Sequence, residues 1–300
     1  MNDMSEMVCE ICCAPAVYWR SIAGYRHFRC SRCEHLFVFP RPTQDELDSF
    51  YQQGQYYDSA EKQRDRITKD AHSRLQLLEA LVKQYGLEKR ILDVGCASGI
   101  FLSVACERGW DAYGVERSEA VAERARSISS AKISVGLLED MVVSGAPFSV
   151  VTAWEVIEHT IDPRLFFSVL AKNVADNGLV LISTPLSNGI PAKVLGKHYP
   201  MLMPPEHLSL FTRDSLKILA KEFNFDEVHY SSFSNLNIGS LASGFCRLVA
   251  GKNLDDASFP VSAAFRLLAT TVAWAPLVID TLGYGTEMQT VYRRLAKEVA

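Results

Sequence analysis

Five of the eight cysteines in the 300-residue sequence fall within its first 33 positions. Cys9-x-x-Cys12 and Cys30-x-x-Cys33 make two Cys-x-x-Cys pairs, with sixteen residues between Cys13 and Cys30. Each pair can aim two thiolates at one point, and two such pairs at this spacing match the ligand pattern of a zinc ribbon. Four soft sulfur donors with no vacant position select zinc in a structural site. The expected ligands are Cys9, Cys12, Cys30 and Cys33, with Cys13 a spare thiol or an alternative ligand. A module this small has little core of its own and gains from a metal staple.

A second group of residues lies in Ile91-Leu92-Asp93-Val94-Gly95-Cys96-Ala97-Ser98-Gly99-Ile100-Phe101-Leu102. This is a glycine-containing turn between a strand and a helix, where open parallel sheets bind their ligands. Gly95 is expected to let the backbone approach a ligand, and Gly99 to permit the sharp entry into the helix. The spacing does not give Gly-x-Gly-x-x-Gly, since Ala97 and Ile100 occupy the later glycine positions. The acid two residues before Gly95 suits a ligand with a positive ammonium and sulfonium and no phosphate. Glu116, 23 residues after Asp93, stands near the distance at which a carboxylate accepts both ribose hydroxyls. Glu139 and Asp140 could accept from an adenine amine.

Two histidines could move a proton. His159 follows a predicted strand at the edge where a ligand crevice opens, and His207 lies in the proline-rich run Met203-Pro-Pro-Glu-His-Leu-Ser-Leu-Phe211. An imidazole with a solution pKa near 6.5 can serve as a general base, or simply fix a loop by a hydrogen bond.

The elements that must position these groups alternate in type. Strands are expected at 90–94, 112–116, 132–135, 149–154, 179–183 and 227–230, and helices at 99–108, 119–127, 163–174 and 216–223. That alternation predicts an α/β fold with a doubly wound, mostly parallel sheet. Apolar residues from Ile67 to Val82 recur at three and four, so 61–85 reads as an amphipathic helix ending at Gly86. Thr43 and Glu46 make a capping box for a short helix, followed by a Tyr-rich connector. An apolar helix is expected around 265–282 as a cover, and an edge strand at 288–293. The organisation read is a zinc-ribbon module at 1–42, a helical connector at 43–88 and a catalytic domain with a helical cover at 89–300.

Composition narrows the function classes. The net charge of −4 gives no general attraction for a polyanion, and residues 1–42 balance five arginines against four acids. Nucleic acid is therefore not expected as a partner. The longest apolar stretch, Leu267 to Ile279, has thirteen residues, short of the roughly 20 needed to span a bilayer. The acidic N-terminus lacks the basic start of a signal peptide, so a cytoplasmic protein is expected.

With these residues in place, the chain resembles the class I S-adenosylmethionine-dependent methyltransferases. Asp93-Val-Gly-Cys-Ala-Ser-Gly99 matches their Asp-x-Gly-x-Gly-x-Gly loop, with Ala97 in place of the middle glycine. The resemblance implies a seven-stranded Rossmann-like sheet. It also implies a cofactor site drawn from Asp93, Gly95, Cys96, Ala97, Gly99, Glu116, Arg117, Glu139, Asp140, Trp154 and Glu155. The ribbon, the Pro40–Pro42 pair and the Tyr51, Tyr56-Tyr57 connector are similar to a bacterial group related to deoxysugar C-methyltransferases. That implies methyl transfer to an O or C atom of a small molecule, with a sugar or glycan intermediate as the expected acceptor and His207 favoured over His159 as base. The alternatives are a non-catalytic binding protein that has kept the fold, or a zinc-ribbon RNA methyltransferase.

Overall fold

The computed structural model describes residues 7–53, 64–234, 243, 246, 249, 262, 266, 267 and 275–296. The first strands are β1 (Met7–Val8), β2 (Pro15–Ile22), β3 (Tyr25–Cys30) and β4 (Leu36–Val38). Next come α1 (Gln44–Gln53), α2 (Arg64–Tyr85), β5 (Arg90–Val94), α3 (Ile100–Glu107), β6 (Asp111–Glu116), α4 (Glu119–Ile128) and β7 (Lys132–Val135). They are followed by β8 (Phe148–Trp154), α5 (Pro163–Asn173), β9 (Val174–Pro185), α6 (Ile190–Leu195), β10 (Ser209–Leu210) and α7 (Arg213–Glu222). The chain closes with β11 (Phe225–Phe233), α8 (Ala275–Thr281) and β12 (Glu287–Arg294).

The chain forms two compact units. The first comprises Met1–Pro42, Ser183–Ile218 and His229–Thr290, and the second Thr43–Ile182, Leu219–Val228 and Val291–Ala300.

In the first unit an antiparallel sheet runs in the order β1-β2-β3-β4-β10. β2 and β3 join through Ala23-Gly24, both at positive φ (48° and 86°), as a two-residue hairpin of matching twist demands. β4 takes its other neighbour from far along the chain, with Ser209 opposite Phe37 and Leu210 opposite Leu36. Behind this pair Leu36, Ala192, Leu195, Tyr199, Leu202 and Leu210 form a small apolar core.

The second unit holds all of β5, β6, β7 and β8 of the larger sheet, whose order is β11-β12-β9-β8-β5-β6-β7. β5 pairs in parallel with both β6 and β8, and β6 with β7. Central strands of this kind are buried on both faces, which is why Ile91, Leu92, Val150 and Val151 are almost wholly inaccessible. The stripe Ala71, Leu75, Leu78, Leu81 and Val82 of α2 joins a core with Leu102, Ala105 and Val150. α5 starts where Asp162 accepts from the Arg164 and Leu165 amides, with Pro163 at the first helical position.

The strands and helices expected from 90 to 230 are present, their ends shifted and β9 longer. The capping box is also there: Glu46 Oε2 accepts from Thr43 N at 2.7 Å, and Glu46 N donates to Thr43 Oγ1 at 3.3 Å. One expectation is corrected. The strand at 288–293 is not an edge: β12 lies between β9 and β11. Met288, Val291 and Tyr292 are fully buried, with the Tyr292 ring packed edge-on against Phe167. Of the apolar helix expected over 265–282, Ala275–Thr281 is helical as α8. Most of 259–274 and the pair Tyr56-Tyr57 lie outside the described residues. Among the described residues, no helix is long and apolar enough to cross a membrane.

Candidate functional site

Asp93 and Thr152 stand opposite each other on the paired strands β5 and β8. The Thr152 hydroxyl donates to Asp93 Oδ1 at 2.7 Å. Burial pushes the Asp93 carboxyl up to about 7, against the opposing pull of the Thr152 hydroxyl and the nearby Arg74 charge. Glu116, at the end of β6, holds the loop beyond β5: its Oε2 accepts from Ala97 N at 3.0 Å and its Oε1 from Ser118 N at 2.9 Å. Burial raises this carboxyl as well, although the backbone donors resist. A carboxylate has about four lone-pair sites, so Glu116 can hold the loop and still accept from a ligand.

The glycines of this loop answer to protein neighbours. A Cβ on Gly95 (φ 70°) would lie 2.7 Å from Val156 Cγ2, and one on Gly99 (φ 76°) 2.7 Å from Ala125 Cβ. Gly95 thus makes room for the segment after β8, a contact that the sequence reading assigned to a ligand. Ala97 (φ 47°) and Glu155 (φ 53°) take the left-handed conformation without being glycine. Such residues concentrate at functional loops, and these two follow the neighbouring strands β5 and β8.

Trp154 ends β8. Its ring packs edge-on against Phe101 at 5.2 Å, and the Arg74 guanidinium lies over it at 4.0 Å. Its Nε1–H is buried without a hydrogen-bond acceptor among the described residues. Arg74 and Thr152 were not singled out from the sequence. Arg74 follows Ala71 by three residues and precedes Leu78 by four. A charge at a stripe position was the available signal. Thr152 offered only a hydroxyl in an apolar strand.

The other candidates divide. Cys96 is buried, its thiol pushed up by burial, and it belongs to the apolar core. Glu139 is partly buried and its carboxyl is raised for that reason, while Asp140 and Arg117 are exposed. His159 and His207 belong to different units. His159 Nε2 lies 3.9 Å from Glu158 Oε1. His207 is buried and its Nδ1 lies 2.7 Å from the Met201 carbonyl, so Nδ1–H donates and Nε2 is the acceptor nitrogen. Burial keeps this imidazole below its ordinary pKa, in the neutral form that a base requires.

In the first unit the sulfur atoms of Cys9, Cys12, Cys30 and Cys33 all lie within 4.8 Å of one another. Cys9 and Cys33 are 3.7 Å apart, Cys12 and Cys30 3.4 Å. A tetrahedron with metal–sulfur bonds of about 2.3 Å has sulfur–sulfur edges of about 3.8 Å, so the thiols stand close to metal-binding spacing. The Ile11 amide donates to Cys9 Sγ, and the Arg32 and Cys33 amides to Cys30 Sγ, each at 3.4 Å. Amide donors favour thiolates, and the bond between Cys9 and Cys33 draws Cys9 down to about 5 while it pushes the Cys33 thiol up. Cys13 is exposed and outside the cluster. Beside it Glu10 accepts from His35 Nε2 at 3.0 Å and from Arg41. Burial would raise the Glu10 carboxyl, but these partners hold it below the usual range.

A doubly wound sheet with buried acids around the loop after β5 is the architecture of a Rossmann-like methyltransferase. A family model described as "Methyltransferase domain" matches residues 61–230, more than half of the chain, and the chain belongs to that family. Among curated proteins, the ubiquinone biosynthesis O-methyltransferase of Idiomarina loihiensis is 32% identical over 116 residues, 36% of this chain and 46% of that protein. The protein of the same name from Caulobacter sp. is 32% identical over 114 residues, 36% of this chain and 45% of that protein. The chain thus spans less than half the length of these relatives. Among solved structures, a SAM-dependent methyltransferase from Archaeoglobus fulgidus has a TM-score of 0.51 at 17% identity, covering 80% of this chain and all 100% of that one. A chain from the complex of the Haloferax volcanii Trm112 methyltransferase activator with a methyltransferase gives 0.53 at 13% identity, covering 81% and 98%. At these identities the likeness is one of fold.

Proposed function

We propose that the protein transfers a methyl group from S-adenosylmethionine to a hydroxyl of a small molecule. The observation that carries this reading is the pair of buried carboxylates, Asp93 and Glu116, around the loop after β5. Two acids here disfavour a pyrophosphate and favour a cationic nucleoside with free ribose hydroxyls, whose charge would draw Asp93 into its ionised form. The orphaned Trp154 N–H is a donor for which a ligand can supply the acceptor. Asp93 would face the ammonium end of the cofactor, Glu116 the ribose and Glu139 the adenine amine. The Arg74 guanidinium over the Trp154 ring would meet the carboxylate of the amino-acid part. When bound, the cofactor supplies an electrophilic methyl on sulfur.

His207 is the proposed base. Its Nδ1–H bond to Met201 fixes the tautomer, which puts the basic lone pair on Nε2. Burial keeps it neutral at pH 7. A hydroxyl acceptor is supported by the curated relatives, which are named as O-methyltransferases. Sugar, glycan and phenolic hydroxyls form the first panel to test. The four cysteines would hold zinc in a closed structural site, since all four positions of a tetrahedron are filled by sulfur.

Calorimetric titration with S-adenosylhomocysteine tests the cofactor. Micromolar binding by the wild type and its loss in Glu116→Ala are expected. A folded wild type that does not bind the nucleoside would refute methyl transfer and favour a non-catalytic protein.

A further inference from the structure

Glu10 lies between the ligand cysteines Cys9 and Cys12, and its carboxylate is a junction. Besides His35 and Arg41, it accepts from Ser209 Oγ at 3.4 Å. Arg41 donates to the Leu208 carbonyl at 2.5 Å and to Ser209 Oγ at 2.7 Å. Thr212 Oγ1 donates to the carbonyl of Cys33, itself a ligand residue, at 2.8 Å. The Val38 amide donates to the Leu208 carbonyl at 2.9 Å. His35, wholly buried, has its ring centroid 5.5 Å from that of Phe37 and 4.7 Å from that of Phe211.

Those of these contacts that leave residues 1–42 end on Leu208–Thr212, the segment immediately after His207, and start at a cysteine knuckle or at β4 and its flanks. Bringing a half-buried carboxylate and guanidinium together around a buried imidazole is costly unless each is hydrogen-bonded. A ribbon that needed only to hold its own hairpin would not require them.

We infer that the metal-bound knuckles, acting through Glu10, His35 and Arg41, clamp the 203–212 segment and so set the placement of His207. Glu10 and Arg41 are positioning residues. Metal occupancy then governs the acceptor chemistry and leaves the cofactor loop after β5 intact. The catalytic consequence rests on the reading of His207 as base, whereas the clamp itself does not. By linkage the coupling is reciprocal: what zinc does for the segment, the segment does for zinc.

The test is backbone amide hydrogen exchange on the zinc-loaded full chain, with residues 90–116 as internal control. Removing zinc with a chelator is expected to speed exchange in 203–212 about tenfold and to leave both 90–116 and S-adenosylhomocysteine affinity unchanged. Arg41→Met should keep its zinc, reproduce the faster exchange, and lower kcat without changing the KM for the cofactor. Arg41→Lys should restore part of the loss. Unchanged exchange in 203–212, or an equal rise in 90–116, would overturn the inference. Should Arg41→Met fail to fold, Ser209→Ala decides, because the Ser209 hydroxyl bonds to Arg41 and Glu10. Faster zinc transfer to a chelator supports the clamp, and an unchanged rate refutes it. Loss of nucleoside binding with the exchange coupling intact would defeat the methyl-transfer reading alone.

Discussion

Asp93 titrates near 4 in an unfolded chain and is pushed up to about 7 by burial in the folded one. Its folded-state pKa is raised, so ionisation favours unfolding: stability falls as pH rises from about 4 to 7 and loses nothing more above that. In the cofactor-free protein Asp93→Asn should therefore gain stability across this window, reaching on the order of 3 to 4 kcal/mol above pH 7. The same variant should bind S-adenosylhomocysteine poorly. Thermal melts at pH 4.5 and 7.5 check the first part, and an equal gain at both would contradict it. Ala97 poses a different residue-level problem, since its φ of 47° is one that a side chain resists by about 1–2 kcal/mol. Ala97→Gly should be neutral or slightly stabilising with affinity kept, whereas Ala97→Val should cost more than about 1 kcal/mol in urea denaturation. For His207 the sign is opposite to that of Asp93. Its pKa is depressed by burial, so kcat/KM should rise with pH through an apparent pKa below 6.5 and be flat at neutrality. A limb centred above 7 would exclude His207 as the base.

At the scale of elements, the close approach of the α3 N-terminus to α4 depends on one missing Cβ. Gly99→Ala would place that carbon 2.7 Å from Ala125 Cβ and 2.8 Å from its Cα, in a left-handed conformation. A loss of more than about 2 kcal/mol is expected, read as a lowered urea midpoint. The strands and helices between 90 and 230 were legible because continuous apolar runs and amphipathic stripes of ordinary length leave little ambiguity. What stayed hidden was non-local. The two-residue β10 has no periodicity to read, yet it completes the first sheet. β12 looked like an edge because its pairing partners are far along the chain. The clustering of the four cysteines and the acids around the loop after β5 could be read from spacing. Thr152 and Arg74 could not, because their parts come from a strand register and a helix face.

At the scale of the molecule, the chain passes between its two units five times, and residues 1–42 form only one of three segments of the first. A fragment limited to 1–42 keeps all four cysteines but lacks β10 and the partners of Arg41. It should bind cobalt with the thiolate-to-metal absorption of a four-sulfur site, yet leave the amides of Leu36–Val38 unprotected from exchange. Protection equal to that in the full chain would show that the ribbon folds without its distant strand.

The β4–β10 pairing also sets an order of events during synthesis. Cys9 and Cys33 are separated by 24 positions, so the knuckles can capture metal soon after they leave the ribosome. Ser209 follows Arg41 by 168 positions, which at about 5–20 residues per second is a wait of roughly ten to thirty seconds. Throughout that interval the nascent chain presents β4 as a bare edge beside an incomplete charge cluster. On the zinc reading proposed above, early metal capture would fix the knuckles before β10 arrives, and a cell short of zinc would make the protein first as a client of its chaperones.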